Sequence, residues 1–339
     1  MATTPTINTG SLPQFTDLVK RSFVDGLQSL NQDMRNSGFV IEETMPQNTG
    51  LFKRYAERLT RNEYGSVRAE GAAAQQALIQ YGYEKDLGVY TVALACSITE
   101  LMRIGGKDQD IIDMVTDLST VIPNSMDLDL AHRITFHTAT SYTDRDGRTV
   151  DITVGDGLAL GSASHTLTGS ATTYSTIITG NPQFSKGALE TAQKSFVENT
   201  FNNLGEKMAL KADTILTTDD PNTINQVREL MNATADVSTS NAGTFNVYKN
   251  AYKHVTASRI ATNAAGGVDS TKAKYWALIA SKASDFHLTI LQQPTLSTPM
   301  DGNNGEDIAT GNWNFVVRGT YGICIVTPRA FRLSTGLGA

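Results

Sequence analysis

Apolar side chains recur at helical spacing in four stretches of this 339-residue chain. The clearest stripe consists of Ile111, Val115, Leu118 and Ile122. Its spacing predicts a helix over 108–121, and the pattern resumes over 126–136 beyond Pro123, which is expected to kink or break the helix. Three more helices are predicted, over residues 15–34, 185–210 and 221–231.

Runs rich in aromatic and β-branched residues predict the strands. They occupy residues 39–41, 81–94, 214–216, 275–279 and 315–326. The last of these regions consists of two short runs on either side of Gly319. Long helices and scattered short strands do not alternate as a parallel α/β sheet requires, so the predicted fold class is α+β.

Two stretches lack a hydrophobic face of their own. Residues 1–14 are rich in threonine and contain two prolines, so they are expected to form an extended arm. Residues 51–77 are basic and contain little that could fill a core. This composition is typical of a loop or hairpin that projects from the body of a protein.

Composition narrows the classes of protein that fit the chain. Its 28 basic and 34 acidic residues give a net charge of −6, which disfavours a protein that grips nucleic acid over a wide face. The charged fraction of 18% is below the usual ~25%, which suggests surface buried between subunits. Cys96 and Cys324 cannot form a disulfide framework and indicate a reducing compartment. No membrane-spanning helix and no secretory signal are expected.

Few residues are arranged for metal binding or for a cofactor. His132 and His137 are five positions apart, so on a helix they would not face each other as zinc ligands. The sequence from Asp144 to Gly147 resembles the start of a calcium loop but lacks the later ligands, and it predicts a hairpin turn instead. No phosphate-binding glycine motif is present, and neither a metal nor a cofactor is expected.

Ser164, His165 and Asp156 form the one constellation that could belong to an enzyme, a hydrolase with serine as its nucleophile. Adjacent residues on a strand point to opposite faces, and no G-x-S-x-G elbow surrounds Ser164. A loop histidine that is hydrogen-bonded to the backbone is therefore the favoured explanation.

Charge is distributed unevenly along the chain. Residues 107–130 contain six aspartates against Lys107 alone, whereas the segment 51–70 is basic. Both could be solvated faces of one subunit. Alternatively, the basic segment of one subunit lies over the acidic helix of a neighbour and sets its orientation. The candidate contact residues are Lys53, Arg54, Arg58, Arg61, Asp108, Asp110, Asp113 and Asp117.

The order of these features resembles a known family. Three segments carry the likeness: residues 155–165, which contain a glycine–aspartate–glycine motif and a histidine, residues 211–216, which lead into the Asp220-Pro221 helix, and the strands at 313–326. Together with the arm, the basic loop and the long helix, they are similar to the major capsid proteins of tailed bacteriophages with the Hong Kong 97 fold.

The resemblance implies five regions. They are an N-terminal arm (1–42), an extended projecting loop (43–80), a peripheral domain with a long spine helix (81–140), an axial domain (141–285), and closing strands of the peripheral domain with the C-terminus (286–339). The arm and the loop would reach across neighbouring subunits. Some family members form a lysine–asparagine crosslink, but no environment that would catalyse such a bond is evident around Lys53.

The resemblance also implies a structural subunit and not an enzyme. Its copies would assemble into hexamers and pentamers of an icosahedral or prolate shell, which encloses double-stranded DNA without sequence-specific binding. Portal, scaffold, decoration or minor capsid proteins are expected partners, and the virion is the expected location after assembly in the host cytoplasm. The alternatives are the shell of a cellular nanocompartment with the same fold, and the hydrolase.

Overall fold

The computed structural model describes residues 12–28, 32–46, 50–235, 245–298 and 312–338. Within these ranges the helices are α1 (Leu12–Gln28), α2 (Glu100–Ile104), α3 (Asp108–Thr135), α4 (Lys186–Glu198) and α5 (Pro221–Asn232). The strands are β1 (Val40–Thr44), β2 (Phe52–Ala56), β3 (Thr60–Arg61), β4 (Ile79–Gln80), β5 (Glu84–Gly88), β6 (Tyr90–Ile98), β7 (Ser141–Thr143), β8 (Thr149–Asp151), β9 (Thr214–Thr217), β10 (Lys253–Thr256), β11 (Trp276–Ile279), β12 (Phe286–Ser297), β13 (Trp313–Ile325) and β14 (Phe331–Ser334). They form two four-stranded sheets and three two-stranded ribbons.

The first sheet has the strand order β1-β12-β13-β6, and the long helix α3 packs against it. β1 is parallel to β12, and the other two strand pairs are antiparallel. β13 runs through Gly319 as one strand, where the sequence predicts two runs. A Cβ atom at Gly319 would lie 2.7 Å from Cγ2 of Ile122, so glycine at this position allows α3 to approach the sheet closely.

Helix α3 is continuous from Asp108 to Thr135, and the predicted break at Pro123 does not occur. Proline inside a helix removes a hydrogen bond and costs about 3 kcal/mol. Ile122 and Met126, however, are at most 1% exposed and hold the helix in the core on both sides of the proline. Burial of such a side chain contributes about 1.5–3 kcal/mol, so packing outweighs the local cost.

Helix α1 packs against α3 of the same chain. Val19 and Phe23 are buried in the core cluster that also contains residues of α3. Gly26 fits against Ser119, whose Oγ would lie 2.0 Å from a Cβ atom at position 26. The helix predicted over 15–34 is therefore present, but α1 already begins at Leu12, so the extended arm predicted over 1–14 is wrong at residues 12–14. Residues 1–11 lie outside the described part of the chain.

The second sheet has the strand order β10-β9-β11-β14, and α4 and α5 accompany it. α5 begins as its sequence predicts, because Asp220 Oδ2 accepts a hydrogen bond from the Thr223 N–H at 3.0 Å. β14 follows β13 in the chain but pairs with β11. The predicted peripheral region 286–339 requires all of its strands to join the first sheet. β12 and β13 do so, whereas β14 joins the second sheet.

Helix α4 ends at Glu198, although the predicted helix continues to residue 210. The guanidinium of Arg332 is buried at this end, where it donates to Asn199 O at 2.9 Å and to Thr200 Oγ1 at 3.0 Å. A cation is favourable at the C-terminus of a helix. The chain then turns at Gly205, whose φ of 82° lies in the left-handed region. Hydrogen bonds from a distant strand thus end this helix.

The chain between β1 and β6 forms a long hairpin, residues 52–88, which we call the projecting hairpin. β2 pairs with β5 at its base, and β3 pairs with β4 farther out. The segment 51–77, for which the sequence predicts a projecting loop or hairpin, lies largely within this hairpin, whose base extends to Gly88. The predicted turn at Asp144 is also present between β7 and β8, because Asp144 Oδ1 accepts the N–H groups of Asp146 and Arg148.

Two histidines at the end of the spine helix are buried. His132 and His137 are each 1% exposed, and burial lowers the pKa of each to about 4. His137 Nδ1 lies 2.7 Å from Ile134 O, and His132 Nε2 lies 3.2 Å from Thr262 Oγ1. Both imidazoles are therefore neutral at pH 7 in the folded chain.

Acid should destabilise this fold between about pH 6.5 and pH 4. Over that range the unfolded chain binds protons at these histidines that the folded chain does not, so the free energy of unfolding falls as the pH falls. We expect His137→Gln to lose about half of the pH dependence that the two histidines cause, because their pKa values are lowered alike. Urea unfolding at several pH values, followed by circular dichroism, measures this. Equal pH dependence in the variant and the wild type would contradict it.

Candidate subunit interface

The projecting hairpin exposes hydrophobic side chains that the rest of the chain does not cover. Those that are more than half exposed are Phe52, Leu59, Tyr64, Val67, Leu78, Ile79 and Tyr81. Single exposed apolar residues are ordinary, but a large apolar set on one segment marks an interaction surface. We therefore take the hairpin as one half of a candidate interface between subunits.

The base of the hairpin is fixed to the first sheet. Tyr55 and Leu87 are buried in a small cluster with Cys324 and Val326. The Tyr55 hydroxyl is 2.6 Å from Thr289 Oγ1, which lies on β12. The hairpin therefore leaves the body of the protein from a packed base, and its direction is set by side-chain contacts.

A buried ion pair lies where the hairpin leaves the sheet. Arg329 donates one Nη group to the Glu57 carboxylate and the other to Asn203 Oδ1, and the side chains of Glu57 and Arg329 are 6% and 9% exposed. The Glu57 carboxylate also accepts the Tyr83 N–H at 3.2 Å. A Cβ atom at Gly82 would lie 2.4 Å from Cβ of Glu57, so glycine makes room for it. These contacts, which we call the Glu57 junction, join the hairpin, the loop after α4 and the segment before β14.

Farther out, the hairpin lies along loops of the second half of the molecule. Glu206 Oε2 accepts the backbone N–H of Glu63 at 2.7 Å. The Thr168 hydroxyl donates to Tyr81 O at 2.6 Å, and the tip beyond residue 64 carries the fully exposed Val67. The hairpin is thus held along most of its length and is free at its tip.

Two of the four basic candidates are neutralised within the chain. Lys53 is paired with Glu43, and its hydrogen bond holds the pKa of that carboxyl below the usual value. Arg54 forms a fork with Asp86 across the hairpin, with Nε and Nη2 2.7 and 2.9 Å from the two carboxylate oxygens. These two cations therefore have partners in their own subunit.

The other two basic candidates are available for an external partner. Arg58 lies between β2 and β3, Arg61 lies on β3, and both are exposed. Among the described residues, neither has a carboxylate oxygen within 4 Å. Both line an open cavity of about 450 Å³, together with the apolar side chains of Leu59, Met208 and Leu210.

Only some of the six aspartates over residues 107–130 are exposed. Three aspartates are exposed on the first half of α3: Asp110, Asp113 and Asp117. The side chain of Asp108 lies outside the described part of the structure. Asp127 is 1% exposed and pairs with Arg259, and Asp129 accepts the hydroxyls of Tyr90 and Tyr321 at 2.8 and 2.7 Å. The last two carboxylates therefore hold the subunit together and are not contact residues.

An apolar patch beside these aspartates has no counterpart in the sequence predictions. It consists of Leu94 on β6, Leu101 and Ile104 on α2, and Met114 on α3. β6 and α3 meet here, with Cys96 Sγ 4.0 Å from Met114 Sδ, and β6 is an edge strand of the first sheet. Leu101 and Ile104 precede two glycines and belong to no periodic pattern, so only their exposure in the folded chain reveals them.

The histidine and aspartate of the hydrolase hypothesis do meet, but without the serine. His165 Nδ1 is 2.8 Å from Asp156 Oδ2, and both side chains are at most 3% exposed. Burial tends to raise the pKa of Asp156, but its hydrogen bonds, first that from His165, lower it below the usual value. His165 Nε2 lies 3.1 Å from Thr176 Oγ1, whereas Ser164 is exposed and makes no contact with the imidazole. Ser164 therefore makes no nucleophile–base contact with His165, and the contacts of the buried imidazole fix the loop.

Potential metal ligands do not cluster in the part of the chain that the structure describes. In this part of the chain no group of three or more His, Cys, Asp or Glu side chains could hold a metal ion. None of the described helices is long and apolar enough to span a bilayer. Cys96 and Cys324 are free thiols, and burial raises the pKa of Cys324 to about 12.

Neither a protein-family model nor a curated protein matches the sequence. The fold is similar to solved structures. One from Gordonia phage Cozz has a TM-score of 0.51 at 8% identity, with 90% of each chain covered. The capsid structure of cyanophage P-SCSP1u has a TM-score of 0.49 at 12% identity, covering 86% of this chain and 85% of that one. The capsid of Myoviridae phage XM1 has a TM-score of 0.48 at 12% identity, covering 91% and 92%.

The similarity to the Gordonia phage Cozz chain extends over nearly the whole length of both proteins. It shows a shared fold and confirms the expected α+β fold of the Hong Kong 97 type. At 8% identity it does not carry residue roles from one chain to the other. The roles of individual residues therefore have to be argued from the contacts described above.

The Glu57 junction makes a prediction about stability. Glu57→Ala should lower the free energy of unfolding by about 3–5 kcal/mol, because it leaves the Arg329 charge buried without its carboxylate. Arg54→Ala is the matched control, since its ion pair is exposed and should contribute little. Chemical denaturation of both variants measures the difference, and equal losses in the two would show that the junction has no special role.

Proposed function

We propose that this chain is the major capsid subunit of a tailed bacteriophage. Its copies assemble into hexamers and pentamers of a shell that encloses double-stranded DNA. The observation that carries the proposal is the projecting hairpin, which exposes seven large hydrophobic side chains from a base fixed in the core. The fold shared with a chain of Gordonia phage Cozz supports it.

The shape of the hairpin favours a ring of subunits. Its apolar tip gains free energy only when another chain covers it, at about 25 cal/mol for each Å² removed from water. The surface that receives it is a different part of the neighbour, so the contact is heterologous, and such contacts generate closed rings when the rotation between subunits closes. Each subunit then donates one hairpin and receives another.

Charge complementarity assigns the receiving surface. We place Arg58 and Arg61 of one subunit over Asp110, Asp113 and Asp117 of the next, where the adjacent apolar patch on β6, α2 and α3 covers hydrophobic side chains of the hairpin. Lys53 and Arg54 are left out of this contact because Glu43 and Asp86 neutralise them within the subunit. The ionic contacts would set the orientation of the neighbour, while apolar burial supplies most of the affinity.

The two sheets correspond to the two domains that such a shell needs. We assign the first sheet with α1 and α3 to a peripheral domain, and the second sheet with α4 and α5 to an axial domain around the capsomer centre. β14 belongs to the axial domain in this assignment. The net charge of −6 suits a container that encloses DNA without binding it strongly over a wide face.

Electron microscopy of the purified full-length protein tests the proposal directly. We expect closed shells built from hexamers and pentamers, because the hairpin and its receiving surface complement each other in copies of one chain. Size-exclusion chromatography over a range of protein concentrations provides the second measurement. A discrete monomer at every concentration, with the correct circular dichroism spectrum, would overturn the proposal.

A charge-swap experiment tests the assigned contact. Arg58→Glu combined with Arg61→Glu should reduce assembly at least about tenfold, because it places like charges opposite one another. Replacing Asp110, Asp113 and Asp117 by lysine in the same chain should restore assembly. The yield of particles at low and high salt measures both effects. Failure of the swapped chain to recover, with each subunit folded, would contradict this pairing but not the shell function itself.

A further inference from the structure

Arg133, near the end of α3, is a buried cation with few partners in its own chain. Arg133 as a whole residue is 7% exposed. One hydrogen bond is made, from Nη1 to Asp151 O at 2.6 Å, and the buried Nε has no partner among the described residues. No carboxylate oxygen of the described residues lies within 4 Å of the Arg133 guanidinium. A buried charge normally needs an opposite charge or a complete set of hydrogen bonds.

The other buried arginines show how this protein satisfies a guanidinium. Arg332 directs all five N–H groups to oxygen atoms, among them Phe331 O at 2.7 Å and Asn199 O at 2.9 Å. Arg329 has the Glu57 carboxylate and Asn203, although its buried Nε has no partner among the described residues. Arg133 has neither a carboxylate nor a full set of acceptors. Its Nε is shielded from solvent, and the N–H groups of Nη2, which make no hydrogen bond to the described residues, are available to a ligand.

These N–H groups belong to the wall of a surface cavity of about 200 Å³, which we call the Arg133 cavity. Lys85 and Arg148 also line it, so three cationic side chains converge on one space. Thr153 adds a hydroxyl, 2.5 Å from Lys85 Nζ. Four separate elements thus contribute: β5, α3, the end of β8 and the turn before it.

The carboxylates of the cavity are already engaged by other side chains. Asp151 accepts Lys85 Nζ at 2.8 Å, and Asp86 is held in the fork with Arg54. Arg148 is paired with Asp144, with 2.9 Å between Nε and Oδ2, and its guanidinium lies 3.8 Å above the Tyr90 ring. Three cations against two lining carboxylates leave the cavity with an excess of positive charge.

We propose that the Arg133 cavity binds an oxyanion of the phosphate class, with Arg133 as its main ligand. The planar guanidinium presents pairs of N–H donors that match phosphate oxygens. The volume admits a tetrahedral oxyanion with a few waters and is below the range of pockets that enclose whole organic ligands. The phosphate can be free or part of a nucleic acid backbone, because the recognised group is the same. This site is independent of the proposed shell function.

Titration calorimetry of the full-length protein with inorganic phosphate, at constant ionic strength in a buffer free of oxyanions, tests the proposal. We expect saturable binding at one site per chain. Arg133→Lys keeps the charge but loses the fork, and it should weaken binding at least about tenfold. Arg145→Gln is the matched control, since Arg145 lies close in sequence to Arg148 but outside the cavity, and it should bind phosphate as the wild type does.

Lys85→Gln is the second variant, because it removes a cation from the cavity without altering α3 and should also weaken binding. It decides the question if Arg133→Lys fails to fold.

A short DNA duplex is then added to the wild-type protein: competition with phosphate assigns the site to a nucleic acid backbone, and lack of competition assigns it to a free oxyanion. No saturable binding by the wild type, or equal affinity in the wild type and the folded cavity variants, would overturn the proposal.

Discussion

The buried ion pair between Glu57 and Arg329 is the constraint on which the shape of this subunit depends. Desolvation of two charges costs several kcal/mol, so such a pair is tolerated only when the geometry of its partners is well satisfied. Here Asn203 and the Tyr83 N–H add hydrogen bonds to the pair, while Arg329 Nε has no partner among the described residues. Because the pair and Asn203 join three segments that are far apart in sequence, they hold the hairpin where it leaves the sheet. The pair contributes to the orientation of the hairpin more than to net stability.

The hairpin and the body divide the work of burying apolar surface. The body covers its own core, in which α3 packs against the first sheet, whereas several hydrophobic side chains of the hairpin stay exposed. Charged side chains are also divided between the interior and the surface, which bears on the low charged fraction of the sequence. Arg332, Asp127 and the Glu57 junction place charges inside the subunit, so fewer charges remain on its surface than the composition suggests.

Local patterns predicted local structure well. The apolar stripe along α3, the Asp220 cap and the turn at Asp144 depend on residues close in sequence, and all three are present. The errors arose where distant residues decide. Pro123 is tolerated because tertiary packing holds both halves of α3. α4 ends where Arg332, more than a hundred residues away in sequence, donates a hydrogen bond to the carbonyl of Asn199.

The contact surface was predictable in part for the same reason. Clusters of charge pointed to the hairpin and to the first half of α3, but the sequence could not show which charges have partners inside the subunit. Lys53 is neutralised by Glu43, and Asp127 by Arg259, through the folding of the chain. The apolar patch that includes Leu101 was not predicted because exposure, and not spacing, defines it.

The return of β14 to the second sheet has a consequence for the timing of folding during synthesis. Ribosomes add about 5–20 residues per second, and N-terminal parts of a chain generally fold first. Here α4 lacks its terminal cation, and β11 lacks its outer neighbour, until residues 331–334 have left the ribosome. The second sheet and the C-terminal end of α4 are therefore completed late, although α4 and β9 are synthesised more than a hundred residues earlier.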